Sequence, residues 1–592
     1  MCGIAALFAY GPDAPPVSEA ELLEIREAMA ARGPDGAGLW LGPDARIGLA
    51  HRRLAIIDLT PSGAQPMAID DGRLRITYNG EIYNYRALRA ELEAVGERFE
   101  SQSDTEVILR LYRRVGPACV ERLRGMYAFA LWDEAAQGLL LARDPFGIRP
   151  LYYADDGRTL RAASTVKALL AGGAVDTTPD PAGPVGFFLF GAVPEPHTLY
   201  RAVRALPAGH TLWIDRSGAR AMKKFFDVGA VLASSAARPA APDVRAVLLD
   251  SVRHHMVADV PVGVFLSAGL DSATVAALAA ETQGANLDTL TLGFREFQGT
   301  ARDEVPLAEA VARTLGTRHR TERIPGALFR DEFDRVFKAM DQPTIDGVNT
   351  YFVARAARAV GLKVALSGLG GDELFGGYDS FRQIPALVAG LRWLPGARRL
   401  GGGFRALAAP LARRLTSPKL AGVIEYGTRL GDAYLLRRGL FMPWELPEVL
   451  DPDLARAGWQ ALKPQARLEA TYAGVREPWR AVQTLEMAWY MRNQLLRDAD
   501  WAGLAHGVEI RVPLVDAVLF QTLAPWLGRT GGPDKRAMAR TPKTPLPAAV
   551  LERPKTGFFI PVDEWLAEEG ASPGARGLRD WAKRVYRAFT AA

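Results

Sequence analysis

The sequence predicts two domains of different architecture, a layered α+β domain followed by an α/β domain built on a parallel sheet with added helices. Three observations carry that reading. The 592 residues exceed what one hydrophobic core organises. In the first third, short β-like runs alternate with turn signals and helical stretches. Beyond a stretch of small residues and proline, the rhythm becomes a regular strand–helix alternation, the mark of a parallel sheet.

Taken in order, Arg46–Ala50, Arg73–Tyr78, Tyr127–Trp132 and Gly138–Arg143 read as strands. Glu19–Ala30, Tyr85–Val95 and Thr105–Val115 read as helices packed outside layered sheets. Between Asp227 and Asp243 the text VGAVLASSAARPAAP carries almost no charge and reads as a linker. Then follow strand Val260–Leu266, helix Ala273–Glu281, strand Leu287–Phe294, helix Thr350–Val360 and strand Leu362–Leu366. A sheet of this kind binds ligands at the carboxyl ends of its strands. From about Glu425 the chain is mostly helical. Gly396–Arg414, rich in Gly and Arg, reads as a solvated loop rather than an interaction patch. The expected boundaries are 2–226 for the first domain, 227–242 for the linker, 243–570 for the second domain and 571–592 for a tail.

Composition excludes several classes. With 48% hydrophobic and 23% charged residues the chain is an ordinary globular one. A net charge of +5, from 72 basic and 67 acidic residues, is too slight to suggest nucleic-acid binding. No run approaches the roughly 18 apolar residues of a membrane span, and the N-terminus lacks the basic region of a signal peptide. Two cysteines rule out a disulfide framework. A cytoplasmic protein with neither a nucleic-acid nor a membrane partner is expected.

Chemistry is concentrated at both ends of this frame. Once Met1 is removed, Cys2 carries a thiol and a free α-amine, whose pKa of roughly 7.7–8.0 suits a base near neutral pH. The thiolate, not the thiol, is the nucleophile, so such a neighbour matters. Tyr78-Asn79-Gly80-Glu81 ends a strand with a turn-like Asn–Gly pair. The segment is either a plain hairpin or a donor pair, Asn79 amide and Gly80 N–H, for a developing oxyanion. His51-Arg52-Arg53-Leu54 offers a guanidinium for a carboxylate. Ser103 and Glu106 resemble a capping box, and Asp104 between them suits an ammonium group.

Cys2-Gly3-Ile4, Arg32-Gly33-Pro34-Asp35, His51–Leu54, Tyr78–Glu81, Ser103-Asp104 and Arg143-Asp144-Pro145-Phe146-Gly147 together resemble the N-terminal-nucleophile glutamine amidotransferase domain, a layered αββα fold. The resemblance implies that Cys2 attacks the glutamine side-chain amide with its own α-amine as base. It assigns the glutamine α-carboxylate to Arg53, the α-ammonium to Glu81 and Asp104, and the oxyanion to Asn79 and Gly80. Arg52 competes with Arg53, but the family pattern places the arginine directly before Leu54.

In the second half, Ser267-Ala268-Gly269-Leu270-Asp271-Ser272 lies between a strand and a helix, where small residues and helix N–H groups suit a phosphate. Ser367-Gly368-Leu369-Gly370-Gly371-Asp372-Glu373 adds glycine and a carboxylate at the same sheet edge. With Asp341-Gln342-Pro343, the run Gly507–Asp516 and Arg553-Pro554-Lys555-Thr556-Gly557-Phe558, these segments resemble the Rossmann-like ATP-pyrophosphatase domain of glutamine-hydrolysing asparagine synthetases. By that resemblance Ser267, Gly269, Asp271 and Ser272 hold pyrophosphate, and Leu266, Leu292, Ser367 and Gly368 frame ATP. Asp271 and Asp372 bind Mg²⁺, and Lys555 neutralises the α-phosphate. Glu509 and Arg511 are either a structural ion pair or part of the site.

Two departures stand out. Ala268 replaces a usual glycine, tolerable if its φ is negative. Leu369 replaces a usual Glu or Asp, and it can do no acid–base chemistry. The implied activity is glutamine- and ATP-dependent amidation of a carboxylate, aspartate by default, through an acyl-adenylate, in a monomer or homodimer. The alternatives are amidation of another carboxylate in secondary-metabolite or cell-surface biosynthesis, and a non-catalytic homologue that only binds or regulates.

Overall fold

Every residue of strand Gly3–Ala9 is buried, and its side chains explain why. Ile4, Ala6 and Phe8 meet Ala128, Ala130, Trp132, Leu139 and Leu141 of a second sheet. Ala5, Leu7 and Ala9 point the other way, onto Leu22, Ile25, Val166 and Leu169 of outer helices. A strand covered on both faces reads as an unbroken apolar run rather than an alternating one. The computed structural model describes residues 2–234, 240–394, 396, 400–406, 418–554, 561, 565 and 577–590.

The first sheet has the spatial order Val203–Ala205, Tyr152–Asp155, Thr159–Ala163, Gly3–Ala9, Ile47–Arg53, Gly36–Leu41. The second runs Arg220–Lys224, His210–Asp215, Gly138–Arg143, Gly125–Asp133, Leu74–Ile82, Met67–Ile69. Helices Glu19–Glu27 and Val166–Ala171 cover the first sheet, and Tyr85–Ala94 and Asp104–Val115 cover the second. The four layers are the expected αββα arrangement. One expectation fails in detail, because Asn79-Gly80 makes no hairpin. Strand Leu74–Ile82 runs straight through it, with Asn79 opposite Ala128 and Gly80 opposite Tyr127. Glycine is required there by the neighbouring strand, since a Cβ at Gly80 would overlap the Met126 carbonyl oxygen.

The second domain is built on a five-stranded, wholly parallel sheet in the order Arg318–Ile324, Asp288–Phe294, Val262–Phe265, Val364–Leu366, Glu509–Arg511. The chain leaves Val262–Phe265 first toward one side of the sheet and later toward the other. The carboxyl ends of Val262–Phe265 and Val364–Leu366 therefore flank a topological switch point. Helices pack outside, and an 11-residue π-helical run, Glu486–Leu496, follows helix Pro478–Leu485.

Two other expectations need correction. The first half of the expected linker is a helix, Val228–Ser234, with Val228 and Leu232 buried and the Leu232 carbonyl accepting from Arg480 at 3.0 Å. Small residues kept it nearly uncharged because they pack, not because they are free. The expected tail contains helix Gly577–Thr590, whose Trp581, Ala582 and Val585 are buried.

Buried ion pairs dock the halves on each other. Arg32 binds Asp500 through two bonds, at 2.7 and 3.2 Å, and Arg124 binds Asp516 at 2.8 and 3.1 Å. Asp341 accepts the backbone N–H groups of Val166 and Lys167, each at 3.0 Å.

Candidate active sites

Cys2 directly precedes Gly3–Ala9, an interior strand of the first sheet, and is buried. Its backbone N–H donates to Asn79 Oδ1 at 2.9 Å, its thiol lies 3.9 Å from the Leu54 carbonyl oxygen, and its carbonyl accepts from Arg32 Nε at 3.2 Å. The first of these bonds orients the Asn79 amide. Asn79 Nδ2 is thereby left as a buried donor with no partner, a group that waits for an acceptor. Burial pushes the Cys2 thiol pKa up, opposed first by the chain's N-terminal positive charge.

Antiparallel register sets Arg52 opposite Gly3, so the next residue, Arg53, lies across from Cys2. Arg52 turns outward to Glu27, 3.4 Å away. Arg53 donates to the carbonyls of Thr60, at 3.0 Å, and Asp58. Alternation along the strand thus separates the two arginines, and Arg53 is the one on the Cys2 side.

Asp104 opens helix Asp104–Val115, whose N-cap is Ser103. The capping box is half formed: Ser103 caps, while the Glu106 carboxylate accepts from Glu100 and Ser101 instead. Asp104 Oδ2 accepts the Tyr78 hydroxyl and the Ile82 N–H, both at 2.9 Å. Oδ1 receives the Ser103 hydroxyl at a long 3.5 Å. Burial raises the Asp104 pKa to about 6, against the pull of those donors. Glu81 Oε2 is buried without a hydrogen bond, 3.5 Å from Arg511 of the other domain.

That contact decides the reading of Glu509 and Arg511. Arg511 Nε donates to Glu509 at 2.7 Å, and its Nη1 donates to the carbonyls of His255 and Val257. Burial works against ionising Glu509, but the N-terminal charge, Arg511 and Arg149 together hold its pKa at about 2. Glu81 is pushed the other way, by burial and then by Glu509. The pair is structural, and it also reaches the Cys2 site. Nothing in the sequence signalled that reach, because it depends on how the domains dock.

At the second site, the loop after Val262–Phe265 feeds helix Leu270–Gln283, whose N-cap, Gly269, provides no side-chain cap. Its first-turn N–H groups face the sheet edge for an anion to take. Ser267 and Ser272 hydroxyls meet at 2.8 Å, and the Ser267 N–H donates to Ser272 Oγ at 3.1 Å. Ala268 is absent from the residues with positive φ, so its extra methyl is accommodated. The loop after Val364–Leu366 lies directly against this one: a Cβ at Gly368 would stand 2.5 Å from the Ser272 nitrogen. Gly370, at φ +95°, turns the chain back into the short helix Gly371–Phe375. Leu266 and Leu292 are buried beneath the edge.

Asp271 and Asp372 come together around a residue that the sequence did not single out. Lys535 Nζ donates to Asp271 Oδ2 at 2.6 Å and also to Asp372 Oδ1. Burial lowers the Lys535 pKa, but the two carboxylates outweigh it and keep the ammonium charged. Oxygens gathered on one cation are the donor set a hard divalent ion needs, with phosphate oxygens and water completing the shell. Among the described residues no cluster of three or more acidic, His or Cys side chains forms a protein-only metal site. Lys555 lies outside the described residues. Leu369 is half-buried, its N–H donating to Ser367 Oγ at 3.3 Å, so it offers the site only an apolar wall.

The two halves define an N-terminal-nucleophile amidotransferase domain joined to a pyrophosphate-loop synthetase domain. Residues 1–226 match the family described as glutamine amidotransferase domain, and residues 243–587 match the family described as asparagine synthase. The chain belongs to the asparagine synthase family. Asparagine synthetase (glutamine-hydrolyzing) 1 of Bacillus subtilis (strain 168) is 32% identical, covering 99% of this chain and 90% of its own length. The putative asparagine synthetase (glutamine-hydrolyzing) of Mycobacterium tuberculosis (strain ATCC 25618 / H37Rv) is 35% identical over 96% of this chain and 88% of its own. Among solved structures, the glutamine phosphoribosylpyrophosphate amidotransferase of Bacillus subtilis complexed with ADP and GMP matches 54% of this chain and 81% of its own. Identity there is 16% and the TM-score 0.30, a likeness too weak to add to the fold. No helix among the described residues is long and apolar enough to cross a membrane.

Proposed function

We propose that this chain hydrolyses glutamine at Cys2 and uses ATP to amidate aspartate, releasing asparagine, AMP and pyrophosphate. One observation carries the reading. Cys2 fixes the Asn79 carbonyl while the Asn79 Nδ2 donor stays buried and unused, a preorganised donor beside a nucleophile.

Cys2 Sγ attacks the glutamine amide carbon, its proton passing to the α-amine that Met1 removal exposes. The negative oxygen so formed takes Asn79 Nδ2 and the Gly80 N–H. The α-amine returns the proton to departing ammonia, and water then cleaves the thioester. Arg53 takes the glutamine α-carboxylate. Asp104 Oδ1 and Glu81, the under-used oxygens of that site, take the α-ammonium.

At the second site an aspartate carboxylate oxygen attacks the α-phosphorus of ATP, giving aspartyl-adenylate and pyrophosphate. Ser267, Gly269, Asp271 and Ser272 hold the pyrophosphate, Leu266, Leu292, Ser367 and Gly368 frame the nucleotide, and Lys535 and Lys555 supply positive charge. Asp271 and Asp372 suit Mg²⁺, which when bound neutralises phosphate charge. Ammonia from the first site attacks the adenylate and AMP leaves. The division at 227–242 assigns one half-reaction to each domain.

Leu369 favours a second reading, an acceptor less polar than aspartate, because the position holds a methyl-rich wall instead of an acid. Purified protein given glutamine, ATP, Mg²⁺ and aspartate should form asparagine and pyrophosphate in equal amounts. Pyrophosphate release with another acid and none with aspartate would establish the second reading. Release with no acid at all would refute both.

A further inference from the structure

The two sheets of the first domain face each other largely through apolar side chains, but a buried histidine lies among them beside Cys2. Alternation along strand Ile47–Arg53 turns Arg52 outward to Glu27 and His51 inward. His51 stands opposite Ile4, two residues along from Cys2, about 7 Å in an extended strand. Across the gap its Nδ1 meets Thr77 Oγ1 at 3.1 Å, and Thr77 lies two residues before Asn79 on strand Leu74–Ile82. Two polar rungs therefore join the sheets in succession. The first runs from the Cys2 N–H to Asn79 Oδ1 at 2.9 Å, and the second from His51 to Thr77.

The second rung is dry and tightly held. His51 is 1% exposed and Thr77 is buried. The Thr77 hydroxyl also reaches the Ala50 carbonyl oxygen at 3.0 Å. A carbonyl only accepts, so the hydroxyl proton goes there and Nδ1 carries the donor toward Thr77. Thr77 thus grips strand Ile47–Arg53 at two consecutive residues. Nε2 has no partner among the described residues, so the ring acts through Nδ1. Burial, then the charges of Arg53 and the N-terminus, push the His51 pKa down to about 3, and the ring stays neutral near neutral pH.

Apolar packing has no preferred direction, whereas an oxyanion donor serves only within about 2.7–3.1 Å of the oxygen it receives. The Cys2 rung does not hold that spacing alone, because the paired register of its strand begins at Gly3. We propose, on the reading of Cys2 as nucleophile and Asn79 as oxyanion donor, that His51 is a positioning residue of glutamine hydrolysis. Its bond to Thr77 sets the offset between the Cys2 and Asn79 strands, so that Asn79 Nδ2 meets the oxygen formed when Cys2 attacks. His51 itself touches neither substrate nor nucleophile in this role.

The test is steady-state glutamine hydrolysis by variants of the full chain. His51→Phe keeps a ring and deletes its nitrogens, and Thr77→Val keeps the shape and deletes the hydroxyl. Each should lower kcat about ten- to a hundred-fold with KM unchanged. The double variant should be little worse than either single one, since the same bond is lost once. His51→Asn, whose amide N–H replaces Nδ1–H, should restore most of kcat. Alkylation of Cys2 by iodoacetamide, which builds no oxyanion, should match the parent throughout, as should amidation with added ammonium. Unchanged kcat in His51→Phe and Thr77→Val, additive losses in the double variant, or His51→Asn as slow as His51→Phe would overturn the proposal. So would a parallel loss of alkylation or of ammonium-dependent amidation, which would make the bond structural only. Failure of the underlying reading looks different, because glutamine turnover would then survive in Cys2→Ala whatever residue stands at 51.

Discussion

In the proposed first half-reaction Cys2 is the nucleophile and Asn79 the donor to the oxygen it creates. Cys2→Ala should abolish glutamine hydrolysis and glutamine-dependent amidation, while amidation with added ammonium persists. Glutamine turnover surviving in that variant would remove Cys2 from the chemistry, and an intact mass that retains Met1 on active enzyme would remove the α-amine. Asn79→Ala should lower kcat for glutamine by about 10²–10³-fold, the usual loss of one oxyanion donor. The role proposed for Asp104 gives the site a pH dependence. Its carboxyl titrates at about 6, and only the ionised form attracts the glutamine ammonium, so kcat/KM for glutamine should climb as pH rises through about 6 and then level. The stability effect has the opposite sign. A carboxyl raised from its usual value of about 3.9 stabilises the fold while protonated, and that contribution disappears as pH rises toward about 6. Asp104→Asn should flatten the profile. A wild-type profile without an inflection near 6 would assign the ammonium to Glu81 alone.

Glycines set how closely the two ATP-site loops approach. Gly368→Ala would place a methyl 2.5 Å from the Ser272 nitrogen, backbone that cannot yield without opening the loop. Pyrophosphate–ATP exchange should fall at least about ten-fold while glutaminase activity is unchanged. Asp271→Asn and Asp372→Asn should stop the same exchange, and normal exchange in both would contradict their assignment to Mg²⁺. These elements were legible in the sequence because a phosphate loop needs small residues at fixed places. The first domain was legible too, since strands such as Gly138–Arg143 are buried throughout and read as apolar runs. Other elements hid for physical reasons. Strand Arg318–Ile324 alternates charged and half-buried residues at the sheet edge, which lacks an apolar signature. Glu509–Arg511 is only three residues long, two of them charged. Lys535, in a polar Pro-Asp-Lys-Arg run, looks like surface until the fold sets it between two carboxylates. Asn79-Gly80 carries a turn's composition but obeys a neighbouring strand's carbonyl.

Over the whole molecule, the glutaminase and synthetase halves meet through charges that neither could bury alone. Arg511 is the clearest case. It bonds Glu509 in its own domain, approaches Glu81 in the other and lies 5.5 Å over the Tyr83 ring. Removing one partner of such a buried set leaves the other charges without compensation, which costs about 3–5 kcal/mol, far more than an exposed pair is worth. Arg511→Met, similar in length but uncharged, should therefore destabilise the protein by about that amount in urea unfolding. Arg511→Met combined with Glu509→Gln should lose less than the two single changes added together, because the second substitution removes the charge the first stranded. Additive losses would mean that Arg511 acts through packing rather than charge. Function separates the domains in the same experiment. Glu81 loses its neighbour in Arg511→Met, so KM for glutamine should rise while ammonium-dependent amidation, which bypasses the first site, keeps its KM. An equal change in both would show that Arg511 serves the synthetase half alone, and the contact with Glu81 would then be incidental to glutamine recognition.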